Sequence, residues 1–265
     1  SLGKRLYVAV NIFAHNQDFE HLPGYIQKLA DIGVDGLIVS DPGVISVAKK
    51  VAPAIPLHLS TQANCTNMES ARFWESQGLE RIILARELSL TEIRQIRDSV
   101  NLTLEAFVHG AMCVSYSGRC LLSSFLTGRS ANQGDCSHPC RWEYYLMEAK
   151  RPGEYFPVVE EERGTFILNA NDLCMIEHIP ELVLAGVDSF KIEGRMKSVH
   201  YVATVVKAYR EAIDAYLEDP EDWECREEWL QELEKASHRV FSTGFFFGKP
   251  TAEDQNYEDS SYIRT

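Results

Sequence analysis

Four cysteines carry the spacing of a ligand set. Cys113, Cys120, Cys136 and Cys140 form the pattern C-x6-C-x15-C-x3-C, and four thiolates can complete a tetrahedral zinc site or hold an iron–sulfur cluster. Structural zinc sites usually pair their cysteines across two to four residues, twice over. Only Cys136 and Cys140 meet that rule, and Cys113 and Cys120 stand too far apart for a zinc knuckle. Irregular spacing suits a bulkier cluster more easily, although spacing alone leaves iron–sulfur, zinc and unligated thiols open. Cys174, on a predicted helix, is of a type more often core than ligand, but it is a substitute for one of the four. Cys65 and Cys225 read as small apolar or surface residues. Five of the seven cysteines fall between Cys113 and Cys174, and in a reducing compartment such clustering points to metal or redox work rather than disulfides.

A second set lies at the ends of apolar runs: Asn11, Ser40-Asp41, Ser60-Thr61-Gln62, Arg86-Glu87, His109-Gly110 and Glu193-Gly194-Arg195. In a parallel α/β architecture these strand ends meet in one polar mouth, where active sites collect. Arg86 and Arg195 can be ion-pair partners of Glu87 and Glu193. Two guanidinium groups there also make a bidentate site for a carboxylate or phosphate. His109 stands out because it is a strand end four residues before Cys113. His58, mid-strand, reads as a satisfied interior histidine, and His15, His138, His178 and His200 have no partner at ligand spacing. Neither a G-x-S-x-G elbow nor an H-E-x-x-H zinc helix occurs, so an ordinary hydrolase is poorly supported.

The elements that must position these residues follow from hydrophobic periodicity. Apolar, β-branched runs at 6–11, 36–40, 56–60, 81–85, 102–108 and 188–193 predict strands. Helical periods fall at 18–32, 43–51, 67–77, 89–98, 172–185, 198–217 and 222–236. Ser89 with Glu92 forms a capping box, and Asp172 is the expected cap of the helix at 172–185. Near-continuously apolar strands separated by single helices indicate a parallel sheet covered on both faces. Six βα units are two short of a (β/α)8 barrel. The expected fold is thus an α/β, TIM-barrel-like chain, incomplete, with a Cys-rich insertion at about 110–170 before the last strand. The rival doubly wound sheet lacks a Gly-rich phosphate loop after its first strand. The expected organisation is a barrel portion over 1–218, followed by an acidic helix and tail over 219–265 that lead to a further C-terminal region.

Composition bounds the function. With 265 residues, 45% hydrophobic and 25% charged, the chain is neither disordered, collagenous nor a small disulfide scaffold. No apolar stretch reaches the roughly 18 residues of a membrane span, and the first residues carry no signal-peptide apolar region, so a cytoplasmic location is expected. Twenty-six basic against 39 acidic residues give −13, which excludes a polycation that coats nucleic acid. Yet residues 113–151 run against that balance: Arg119, Arg129, Arg141, Lys150 and Arg151 outnumber Asp135, Glu143 and Glu148.

Taken together, Glu105-Ala-Phe-Val-His-Gly-Ala-Met-Cys113, Ser117-Gly-Arg-Cys120-Leu-Leu-Ser123, Asn132-Gln-Gly-Asp-Cys136-Ser-His-Pro-Cys140-Arg-Trp142 and Phe190-Lys-Ile-Glu-Gly-Arg195 resemble the collagenase-like peptidases (peptidase family U, number thirty-two). The likeness runs over nearly the whole chain and is strongest to the branch of prephenate-dependent tRNA uridine hydroxylases, which make 5-hydroxyuridine at the wobble position. This resemblance implies an oxygen-independent hydroxylase with an iron–sulfur cluster, of the 4Fe-4S type, on Cys113, Cys120, Cys136 and Cys140, with Cys174 as substitute. It implies prephenate or a similar small carboxylate as co-substrate, held by Arg86 and Arg195 and oriented by Gln62 and His109. His109, Glu193 and Arg195 would serve catalysis. The partner would be tRNA, its phosphates met by the basic insertion and its uridine extruded into the mouth; a homo-oligomer or a paralogous partner is also compatible. Family members begin with an additional strand and often carry a further C-terminal domain. The rival expectations are a collagenase-like peptidase, as the family name says, and a zinc-stabilised binding module without chemistry.

Overall fold

The computed structural model describes residues 3–113, 115–142, 145–146, 156–157 and 171–248. One unit repeats through the first half. Strand β1 (Tyr7–Val10) leads through a 3-10 turn into helix α1 (Leu22–Ile32), which Gly33 ends at a left-handed φ of 78°. Strand β2 (Gly36–Val39) is followed by α2 (Pro42–Val51), and the Asp41 carboxylate caps that helix by accepting the Gly43 and Val44 N–H groups. Then come β3 (Leu57–Leu59), α3 (Met68–Ser76) capped by Asn67, β4 (Arg81–Ile83) and α4 (Leu90–Arg97). The Ser89–Glu92 capping box forms as its spacing predicts. Strand β5 (Thr103–Ala111) closes this half.

The second half is less regular. It holds α5 (Leu122–Thr127), the two-stranded pair β6 (Tyr145–Leu146) and β7 (Phe156–Pro157), then β8 (Asp172–Cys174), α6 (Ile179–Leu184), β9 (Ser189–Ile192), α7 (Val199–Glu218), α8 (Glu227–Glu234) and β10 (Phe241–Ser242). Strands β1 to β5 pair parallel in chain order, and β9 adds parallel to β5. The result is an α/β fold with a mostly parallel sheet. A doubly wound sheet reverses its strand order at a switch point, and these six strands show no reversal.

One predicted element is corrected. Residues 172–174 form strand rather than the first turn of a helix; β8 runs antiparallel along the end of β5, with Cys174 opposite His109 and Asp172 opposite Ala111. Only Ile179–Leu184 is α-helical there, after a 3-10 turn. Asp172 therefore caps nothing. It is buried, 3.9 Å from the Lys197 ammonium, and β10 pairs with its strand on the other edge.

Leu37, Leu59, Ile82 and Leu104 of the sheet and Ile26, Ile93, Ile96, Leu182, Val205 and Ala212 of the helices pack into a single core. Each fully buried aliphatic side chain of this kind contributes about 1.5–3 kcal/mol. The acidic helix α8 joins that core through Trp229 and Leu233, while Glu227, Glu228 and Glu234 face solvent. A charged knot sits within the sheet beside it. Glu105 accepts from Arg81 at 2.7 Å, Lys191 at 2.8 Å and Ser189 at 2.9 Å. Burial alone would push the Glu105 carboxyl up, but Lys191, Ser189 and Arg81 together hold it below the ordinary carboxylate value. No helix among the described residues is long and apolar enough to cross a membrane.

Candidate active site

The C-terminal ends of the parallel strands open into a cavity of about 680 Å³. Ser60 and Gln62 follow β3, Arg86 follows β4, Glu193 and Arg195 follow β9, and Asn11 follows β1; all line this space. Polar groups cost little at strand ends because the sheet's own hydrogen bonding stops there, so these four strand ends can present polar side chains to one volume.

All four cysteines of the C-x6-C-x15-C-x3-C span, Cys113, Cys120, Cys136 and Cys140, stand on the wall of the same cavity. They are half-buried and form no disulfide. Two accept backbone hydrogen bonds at sulfur: Leu122 N–H to Cys120 Sγ and His138 N–H to Cys136 Sγ, both at 3.3 Å. Each donor lies two residues past its cysteine, a tight-turn arrangement, and His138 adopts a left-handed φ of 55° to make its turn. Cys113 Sγ lies 3.0 Å from the Ser115 hydroxyl.

The span is tied to the strand ends. Phe13 N–H donates to Asn132 O at 3.1 Å, Asn132 Oδ1 accepts from Cys120 N–H at 3.2 Å, and Arg119 Nε donates to Gln62 O at 3.1 Å. Within it, the hydroxyls of Ser123, Thr127 and Ser137 join the Cys120 side to the Cys136 side at 2.8–2.9 Å. Of the basic segment, Arg119 has the contact above and Arg129 pairs with Asp135 at 2.7 Å. Glu143, Glu148, Lys150 and Arg151 lie outside the described residues, as does the Arg141 side chain.

The donor set can be tested for fit. A single tetrahedral ion at Zn–S distances of about 2.3 Å needs its sulfurs within about 4 Å of one another. Among the described residues no three His, Cys, Asp or Glu side chains converge in that way. A multi-iron cluster spreads its thiolates further apart, and four cysteine sulfurs on one cavity wall, none in a disulfide and two with N–H donors at sulfur, fit such a cluster.

The two arginines differ. Arg86 is engaged: it stacks on Phe107 with its guanidinium carbon 3.9 Å from the ring centre, donates to Ala111 O at 3.2 Å and stands 3.6 Å from Glu193 Oε2. Arg195 is exposed and has no ion-pair partner among the described residues; its backbone N–H is fixed by Glu193 Oε1 at 3.0 Å. Glu193 itself is placed by a close approach. Gly110 has a φ of +105°, and a Cβ there would sit 2.6 Å from Glu193 O, so only glycine lets the end of β9 come this near β5.

Two sequence candidates are elsewhere. His109 does not line the cavity. It is 1% exposed and packs against the rings of Tyr201, Tyr209 and Phe241 at 5.3–6.1 Å. Burial, with His238 and Lys197 adding to it, lowers its pKa to about 3, so the imidazole is neutral and shielded. Cys174 lies beside Tyr209, away from the cavity lining, and burial raises its thiol to about 11. His58 is buried as expected of an interior histidine, its pKa lowered to about 4 by burial and by Arg81. Lys191, Lys197, Asn132 and Tyr201 also line the cavity, and sequence reasoning did not single them out. For the two lysines a signal existed, since Lys191 and Lys197 flank the Glu193-Gly194-Arg195 strand end.

The model of peptidase family U32 matches residues 1–256. The chain is 46% identical over 255 residues to tRNA hydroxylation protein P1 of Bacillus subtilis (strain 168), covering 96% of this chain and 60% of that protein. It is 40% identical over 299 residues to tRNA hydroxylation protein P of Escherichia coli (strain K12), covering 97% and 65%. With tRNA hydroxylation protein P2 of B. subtilis it shares 36% over 248 residues, covering 92% and 80%. The chain thus spans about 60–65% of the length of the first two relatives.

Proposed function

The chain belongs to peptidase family U32, and from that premise we propose that it is the cluster- and co-substrate-binding portion of a tRNA uridine hydroxylase that makes 5-hydroxyuridine at the wobble position. The six parallel strands in chain order support reading the fold as a (β/α)8-type barrel short of two units. The observation that carries the functional reading is the convergence of Cys113, Cys120, Cys136 and Cys140 with Arg195 and Gln62 on one cavity. The relatives' names supply tRNA as the substrate class.

Replacing the C5–H of uridine by C5–OH adds one oxygen atom and removes two electrons from the base. A second reactant must therefore supply that oxygen and take up the two electrons, and prephenate or a similar small carboxylate is proposed to share the cavity with the base in this role. Arg195 would bind its carboxylate, since among the described residues that guanidinium has no ion-pair partner. Arg86 would hold the Glu193 wall in place. The half-buried mouth lets a base enter only once it has left its stack. Bound at the four cysteines, an iron–sulfur cluster supplies one-electron transfer. No observation favours the rival peptidase reading: among the described residues no three His, Cys, Asp or Glu side chains converge to hold a metal ion.

The test is iron, sulfide and zinc analysis with a visible spectrum on protein purified without oxygen. Iron and sulfide in near-equal amounts with a broad brown absorption support the reading, and tRNA nucleoside analysis then follows. Zinc, or free thiols without metal, overturns it.

A further inference from the structure

The end of β4 reaches into the middle of the Cys113–Cys120 span through a single carboxylate. Ser117 there is 1% exposed and has φ 44° and ψ 38°, a left-handed conformation that is strained for a residue with a Cβ. Such a residue keeps that conformation only where its surroundings impose it. They do: Ser117 N–H donates to Glu87 Oε1 at 2.6 Å and its hydroxyl donates to Glu87 Oε2 at 2.5 Å. The Arg86 backbone N–H then donates to Ser117 Oγ at 3.2 Å. Both oxygens of one carboxylate are spent on one residue, a two-point grip that fixes direction as well as distance. On the far side Gly118 turns the chain at a φ of +86°, and Arg119 ties down to Gln62 O.

We propose that Glu87 is a positioning residue: its grip on Ser117 sets the path of the span so that Cys113 and Cys120 both face the cavity. Charge-assisted hydrogen bonds are about twice as strong as neutral ones, and this pair acts midway between the two thiols. This inference rests on the reading of the four cysteines as cluster ligands.

The experiment uses the 265-residue chain as wild type, Glu87→Ala and Glu87→Gln. In iron-free protein, the rate at which a small thiol reagent labels each cysteine is resolved by peptide mass. Separately, iron and sulfide bound after reconstitution are measured. In Glu87→Ala, labelling at Cys113 and Cys120 rises at least about tenfold, the effect of a shift of about 1.4 kcal/mol in local opening. Cys136, Cys140 and the core thiol Cys65 keep their wild-type rates, and iron content falls. Glu87→Gln, which keeps the length and one acceptor, lies between. Unchanged rates overturn the proposal. So does an equal rise at every cysteine including Cys65, which would mean general destabilisation, and so does selective labelling with wild-type iron content, which would mean the cluster does not need the grip. Wild-type protein that takes up no iron and sulfide refutes the cluster reading instead, while the labelling pattern still reports on Glu87.

Discussion

Arg86 and Arg195 bring the same functional group to one cavity wall, but their partners give them different work. Arg86 has lost its freedom to Phe107, Ala111 O and Glu193. Replacing it with alanine forfeits a largely desolvated cation–π contact, and a stability loss of about 2 kcal/mol is expected in chemical denaturation. Arg195 has no such role to lose. Arg195→Ala should leave stability within about 0.5 kcal/mol and iron content at wild-type level, while abolishing tRNA modification; loss of iron as well would make it a structural residue. The cysteines divide similarly. Cys120→Ser and Cys136→Ser, which remove sulfurs that face the cavity and accept backbone N–H groups, should abolish the visible absorption. Cys174→Ser should not, because that thiol lies beside Tyr209 and is held protonated by burial. An unchanged spectrum in Cys120→Ser, or a bleached one in Cys174→Ser, would reverse the ligand assignment.

At the scale of elements, strand β5 decides what reaches the cavity, and Gly110 decides how β5 ends. Gly110→Ala would force a Cβ into φ +105° and to 2.6 Å from Glu193 O. Strain and overpacking together should cost about 3 kcal/mol and displace Glu193 and Arg195, so binding of a small carboxylate, followed by calorimetry, should fail even where the protein remains folded. Binding at wild-type affinity would show that the approach is not needed. The same strand shows how far sequence carries. The four β/α repeats from Tyr7 to Arg97 and the strand β5 that follows were legible because each depends on local periodicity, and the Ser89–Glu92 capping box forms where its spacing places it. The polar strand ends were legible for the same reason, and the cysteine spacing pointed to a shared site. His109 was not, because the register between β5 and β9 slips between Phe107 and His109. Phe107 and Ala111 line the cavity, whereas His109 turns to the tyrosines of α7. Asp172–Cys174 was misread because a three-residue strand is defined by its partners, here residues 109–111 and 241–242, and not by its own pattern. Glu87 escaped as well: its role requires Ser117, thirty positions on.

For the whole molecule, the two deeply placed histidines set a limit on acid stability. In the unfolded chain each protonates near its ordinary value of 6.5, but in the fold His58 resists to about 4 and His109 to about 3. Below pH 6.5 the unfolded chain therefore binds more protons than the folded one, and stability falls with pH through that window. Above pH 6.5 the contribution of both neutral rings is fully present; it is lost as pH drops to about 4 for His58 and about 3 for His109. Glu105 acts in a lower range. Its folded pKa lies below the ordinary 4.5, so its ion pairs begin to lose their contribution only as the pH falls below that value. At about 1.4 kcal/mol for each unit of pKa difference, the histidines should remove a few kcal/mol between pH 7 and pH 5, seen as a lower denaturant midpoint. His109→Phe fits among Tyr201, Tyr209 and Phe241 without a titrating ring, and should flatten that slope while leaving the His58 share. A midpoint constant from pH 7 to pH 5 in the wild-type chain would mean that the interior admits the protonated rings. The aromatic cage around His109 is shared with Tyr201, which also lines the cavity, so protonation there would disturb the wall on which Lys197 and Arg195 stand. Loss of carboxylate binding should then track the fall in stability rather than precede it.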